Sequence, residues 1–295
     1  MPTLLYDERR ELISQALTCS AGEAKTLRPG IWHVRVPGPH DLWPEVALEG
    51  TWPSIAAPVG ARARVAEASR LPSILELNSW LPAGLRSALH PHTRSLSLRT
   101  EIPVSENYLT GRIKAIFAGL PVAARAVLAA DLSSHTGGRS ETADVADPAG
   151  SELDLAGLCR EAGWEAIERA GGVSVPLDVP GQAYFALVRN GRRVLAEVPL
   201  LSLDGLSERS VVAVSVLLLT ASWFVCVARP GIAVDADSVR KYARFEVAFD
   251  AVPSAEELDK ALQALSVACR LCGREVRALQ DADIADAYLA VRNYE

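Results

Sequence analysis

Cys269 and Cys272, with two residues between them, are the one pair in the chain spaced for thiol redox chemistry or for half of a metal site. Redox pairs of this spacing work at a helix N-terminus, where the helix dipole favours the thiolate. Here the pair falls far inside a helical pattern. Leu258, Leu262, Leu265, Cys269, Cys272, Val276 and Leu279 recur at steps of four and three, forming one apolar stripe. The pattern makes both cysteines small core residues, and without a second such pair a zinc site lacks ligands. His90 and His92, flanking Pro91, could present two imidazoles on a loop, and His33 and His40 also precede residue 93. No cysteine or carboxylate recurs beside them at ligand spacing, so loop or surface histidines are expected. The chain has no G-x-S-x-G elbow, P-loop or dinucleotide glycine fingerprint. Arg270, Arg274 and Arg277 share the polar side of the last helix, as on a solvated face. These readings favour a chain that is not an enzyme and takes no cofactor, with a thiol redox or metal protein using Cys269 and Cys272 as an alternative.

The elements that must carry these residues come in two sets. Of the 295 residues 49% are hydrophobic and 22% charged, enough apolar material for two domains with real cores. A net charge of −6 without a basic stripe argues against a nucleic-acid partner. Five cysteines, an odd number, argue against a disulfide framework and for a reducing, cytoplasmic setting. The N-terminal MPTLLYDERREL lacks the apolar run of a signal peptide.

Residues 95–120 and 244–269 match at a constant offset. Leu96, Leu98, Thr100 and Ile102 fall on Phe245, Val247, Phe249 and Ala251. Polar residues alternate with them (Ser97, Arg99, Glu101; Glu246, Asp250), the period-two pattern of a half-buried strand. Ser105 and Ser254 then stand at the same place before a 3.6-residue apolar pattern, and Glu257 completes a capping box with Ser254. Leu109, Ile113, Ile116 and Leu120 answer Leu258, Leu262, Leu265 and Cys269. Upstream, LELNSWLP (75–82) matches LLTASWFV (218–225), placing Trp80 on Trp223.

The second set reads as a helix Leu155–Ile167 stopped at Gly171-Gly172, a strand Val173–Val179, and a hairpin turning at Asn190-Gly191. A helix over 207–223, two more strands and a final helix follow. The expected order is α-β-β-β-α-β-β-α, with Pro53, Pro58 and Pro72 interrupting it in the first set. Expected boundaries are copy one 1–134, an exposed linker 135–150 and copy two 151–295. Val211–Ala228 is uncharged and of borderline length for a membrane span. Its counterpart, residues 68–85, holds Arg70, Glu76, Asn78 and Pro82, so a buried helix running into a strand is expected instead.

With Ile74, Leu75, Leu77, Asn78 and Trp80, then Leu96–Val104, Ser105 and Leu109–Leu120, and with Leu218–Trp223 and Phe245–Leu265 in the second set, each half resembles the type III secretion chaperone-like fold. That group includes the Tir-chaperone and YbjN-like proteins. Copy two departs from it in having Ala221 where copy one has Asn78. The resemblance implies a non-enzymatic α+β fold with an antiparallel sheet, and a fused pair packed as an intramolecular pseudo-dimer rather than an obligate oligomer. It also implies a protein partner, such as an extended segment, bound through apolar surface or strand edges; a regulatory or structural scaffold without a client is the alternative. The expected pseudo-dimer interface contains Leu75, Leu77, Trp80, Leu218 and Trp223. Trp43 and Trp52, in the Pro-broken segment, are candidates for a partner-binding surface.

Overall fold

The architecture comes from a computed structural model, which describes residues 6–20, 23–37, 42–49, 52–59, 67–82, 84–102, 109–132, 153–190, 193–234, 240–249 and 251–294. Ser105, His40, His135, Gly191 of the expected hairpin turn and all of the expected linker lie outside the described residues. The first half runs α1 (Tyr6–Ser20), β1 (Glu23–Arg28), β2 (Ile31–Arg35), β3 (Glu45–Glu49), β4 (Trp52–Pro58), α2 (Leu71–Asn78), β5 (Arg86–Leu89), β6 (Leu96–Glu101) and α3 (Leu109–Leu132). The second runs α4 (Leu155–Glu161), β7 (Ile167–Arg169), β8 (Gly172–Leu177), β9 (Tyr184–Asn190), β10 (Val194–Ser202), α5 (Glu208–Ala221), β11 (Arg229–Val234), β12 (Lys241–Phe249), α6 (Ala255–Ala278) and α7 (Ala282–Val291). The fold is α+β with two antiparallel six-stranded sheets. Their strand orders are β1-β2-β3-β4-β6-β5 and β7-β8-β9-β10-β12-β11, strand for strand the same.

Four strands precede the middle helix in each half, one more than expected. In the second half the reason is where α4 stops. Gly163, at φ +86°, follows the last turn, well before Gly171. Residues 167–169 are thereby freed to form β7, which turns back onto β8 through Gly171 at φ +82°. In the first half the prolines bound elements and do not break them. Pro53 and Pro58 lie at the ends of β4, and Pro72 occupies the first turn of α2, where a helix needs no N–H. The last helix is also divided. Asp281 accepts hydrogen bonds from Asp283 N and Ile284 N and starts α7.

Each sheet packs its apolar face on its long helix. In the second half Ala196, Val198, Phe245 and Val247 meet the α6 stripe Leu258, Leu262, Leu265, Cys269, Cys272 and Val276, all buried. The Ser254–Glu257 capping box is formed. Helix α5 is buried along most of its length and ends well before Ala228, so Val211–Ala228 is a core helix followed by a turn. Among the described residues one helix, α3 (Leu109–Ala130), is long and apolar enough to cross a membrane by length and composition, and a third of its most apolar stretch is buried within the fold.

The strands β6 and β12 depart from a half-buried pattern, as do the edge strands β5 and β11 beside them. Their polar faces are covered too: Ser97, Arg244 and Glu246 are buried, and the Glu101 side chain is 5% exposed. What covers them is the other half of the chain.

Candidate functional site

Helix α2 packs against α5 and β11, and α5 against β5, so each middle helix lies on the other half's terminal strands. A helix ends with carbonyls that have no partner within the helix, at the negative end of its dipole. At both middle helices an arginine from the opposite half fills that place. Arg86, the first residue of β5, donates from Nε to Ser222 O (3.1 Å) and from Nη2 to Val225 O (2.8 Å), just past α5. Arg229, the first residue of β11, donates from Nη1 to Leu81 O (2.9 Å) and from Nη2 to Ser79 O (3.4 Å), just past α2. The guanidinium of Arg86 is fully buried and forms a two-pronged pair with Glu101 at 2.6 Å on each prong. Arg229 pairs with Glu246 at 2.6 Å. Burial by itself would raise the Glu101 pKa. The Arg86 charge and hydrogen bonds, the Val227 N–H (3.0 Å) and Arg99 together outweigh it and hold the carboxyl below its usual range.

The second sheet extends this seam into a ladder of alternating charge. Arg189 pairs with Glu197, Glu197 with Arg244, Arg244 with Glu246, and Glu246 with Arg229. Arg244 also donates to Ser79 Oγ at 3.3 Å. Gly231 lets the strand approach this closely: a Cβ there would sit 2.5 Å from Ser79 Oγ and 3.8 Å from Leu75 O. Asn78 donates to Pro230 O (3.0 Å) and accepts from Ser87 N (2.7 Å), and Ser222 Oγ donates to Ser87 O (2.9 Å).

Leu75 and Leu218 are fully buried, Leu77 is half-buried, and Trp223 is held between His90 and Arg99 of the first half. Trp80 is 64% exposed. Trp43 is 41% exposed, and Trp52 opens β4, its side chain outside the described residues. Burial pushes the Cys269 thiol up to about 12 and raises Cys272 as well, the opposite of what a thiolate nucleophile needs. Cys272 Sγ lies 3.2 Å from Ala268 O inside its own helix. Among the described residues no cluster of three metal-ligating side chains occurs.

Between β6–α3 and β12–α6 a cleft of about 370 Å³ opens along the seam. Glu101, Arg229 and Glu246 lie at its polar end, and Ile102, Ile116, Val247, Phe249, Val252 and Pro253 supply apolar wall. Arg112 of α3 and Glu257 of α6 meet across it at 3.4 Å, and Lys260 pairs with Glu256. No family model, curated protein or solved structure matches this chain. What the chain does must therefore be argued from the seam and the cleft.

The arginines of the seam escaped the sequence reading although a signal was present. Arg86 follows Ser79-Trp80 by the same interval as Arg229 follows Ser222-Trp223. Extending the Trp80–Trp223 match by a few residues pairs the two.

Proposed function

We propose that the chain is two copies of one α+β unit, fused and docked as an intramolecular pseudo-dimer, and that it is a non-enzymatic protein-binding module resembling type III secretion chaperones. The matched strand orders and the reciprocal arginine caps support the two-copy reading: in an isologous interface each surface meets its own twin. The additional strand in each half departs from the order on which the resemblance was drawn.

The observation that carries the binding role is the state of the cleft. Charged groups at its floor and rim are engaged in ion pairs, while its walls are apolar. What it offers a ligand is burial of apolar surface rather than bond-making chemistry, and its volume suits a few side chains of an extended segment. Strand edges are the weaker half of the reading. Edge β1 carries Glu23, Lys25 and Arg28 with a bulge, edge β7 is three residues long, and the opposite half's helices cover β5 and β11. Exposed Trp80 and Trp43 extend the apolar surface on offer. Five free thiols fit a reducing, cytoplasmic setting, and the acidic balance fits a protein rather than a nucleic-acid partner.

Photoreactive residues placed at Ile116 and Val252 in the cleft, and at Arg274 on the exposed face of α6, test this in the native cell. One unstructured protein segment captured at the cleft positions and not at 274 is the expected result. Equal capture at 274, or none at the cleft, overturns it.

A further inference from the structure

The turn joining β5 to β6, residues 90–95, touches the second half at two places. The His90 ring stands edge-on to Trp223 with centroids 4.7 Å apart, and Arg99 stacks over the same indole at 4.2 Å. At its far side Arg94, at φ +56°, donates to Asn293 O (2.5 Å) and lies 5.5 Å from the Tyr294 ring centroid. The turn is closed by His90 N donating to Ser95 O (2.9 Å) and Arg94 N to His90 O (2.9 Å), and its tip is held by one further atom. His90 Nδ1 accepts hydrogen bonds from His92 N (3.2 Å) and Thr93 N (3.1 Å). An imidazole nitrogen accepts only when it carries no proton, so these two bonds require neutral His90 with its proton on Nε2.

We propose that residues 90–95 form a pH-sensitive latch between the two halves, closed while His90 is neutral and released when Nδ1 takes a proton from solvent. Protonation removes the acceptor from two backbone N–H groups at once and turns it into a donor facing them. It also places a cation beside Arg99, which already occupies the other contact on the Trp223 indole. The charged and titratable groups facing His90 are His92 from its own turn and Arg99 from β6, while the second half presents the uncharged Trp223. Partial burial, His92 and Arg99 all lower the His90 pKa. The folded state thus binds fewer protons than the unfolded one below about pH 6.5, and stability falls as pH drops from there toward the lowered value. The latch stands apart from the cleft and does not depend on what the cleft binds.

Amide hydrogen exchange, corrected for intrinsic rates, reads the turn directly. Protection of His92 N and Thr93 N is expected to fall by about tenfold or more between about pH 7.5 and about pH 5, while the β12 amides stay protected. His90→Asn supplies a side-chain oxygen that can accept from backbone amides and does not titrate, so its turn should stay protected at both pH values. His92→Ala should keep the pH response. An unresponsive wild type, or a response that survives in H90N, overturns the proposal. Should H90N leave the turn unprotected throughout, the wild-type NMR titration decides. His90 and the Trp223 indole N–H sharing one midpoint supports the latch, and His90 titrating without any shift at Trp223 refutes it.

Discussion

The Arg86–Glu101 pair invites a double-mutant cycle, because its two partners bond to different groups of the opposite half. Arg86→Met leaves a buried, unpaired carboxylate and strips Ser222 O and Val225 O of their donor. Glu101→Leu leaves a buried, unpaired guanidinium and an orphaned Val227 N–H. Breaking a buried pair from one side costs about 3–5 kcal/mol. In the double variant no charge remains buried at the site, and replacing a pair by packed apolar side chains typically returns about 1–4 kcal/mol. Three backbone groups stay unsatisfied, at roughly 1–3 kcal/mol each. Taking midpoints, the double variant is about 3–4 kcal/mol less stable than wild type, against about 8 for the summed singles, a coupling near 4 kcal/mol. Urea unfolding, with the same osmolyte in all four samples so that the singles remain folded, measures each corner. A double variant as stable as wild type would show that the bonds to Ser222, Val225 and Val227 contribute nothing and that the pair merely ties β5 to β6. A coupling below about 1 kcal/mol would refute the buried-pair argument itself.

Because the Glu101 pKa is held low in the folded protein, its contribution is fully present above the ordinary carboxylate pKa of about 4.3 and is lost as pH falls through the lower folded value. Wild type should therefore lose more stability than the Arg86→Met/Glu101→Leu variant as pH is lowered through this range, as measured by urea midpoints at each pH. A maleimide reagent should label Cys19 and Cys226 in the native protein and reach Cys159, Cys269 and Cys272 only after unfolding, as counted by intact mass. Native labelling of either α6 cysteine would restore the thiol reading. Gly231→Val should push β11 off α2 and lower stability by about 1–3 kcal/mol, the usual cost of overpacking, and calorimetry showing an unchanged Tm would count against the close approach.

The sequence made α6 legible because one physical demand governs it. A long helix on a sheet must show an apolar stripe, and Cys269 and Cys272 fall on that stripe, so their chemistry could be discounted from spacing alone. The capping box was readable for the same reason: donor and acceptor are three residues apart. Elements whose limits depend on a single backbone angle were less readable. Gly163 and Gly171 are both glycine stops, and nothing local ranks them, so the sequence pattern extends α4 to Ile167 over residues that form β7. The two matched tryptophans differ in exposure: Trp80 is 64% exposed and Trp223 is partly covered. Trp80 and Trp223 occupy matched places, but the sequence between β11 and β12 holds no histidine to answer His90, which stands edge-on to Trp223.

The seam itself was hidden by a property of alternation. A polar residue at every second position of β6 and β12 says that one strand face is not hydrocarbon core; it cannot say whether water or another half's helix end lies there. Arg99, Glu101, Arg244 and Glu246 look like solvated residues by type; the other half meets Arg99 with the Trp223 indole, Glu101 with the Val227 N–H and Arg244 with Ser79 Oγ, while Glu246 holds Arg229 against the carbonyls past α2. Such groups are a costly way to gain affinity, since desolvation cancels much of their attraction. They are an effective way to fix orientation, because a carboxylate, a guanidinium and two carbonyls must all meet at once. Two halves on one chain already hold each other at high effective concentration. The seam can therefore give up affinity for geometry, and Glu101, Arg229 and Glu246 of that seam line the cleft between α3 and α6.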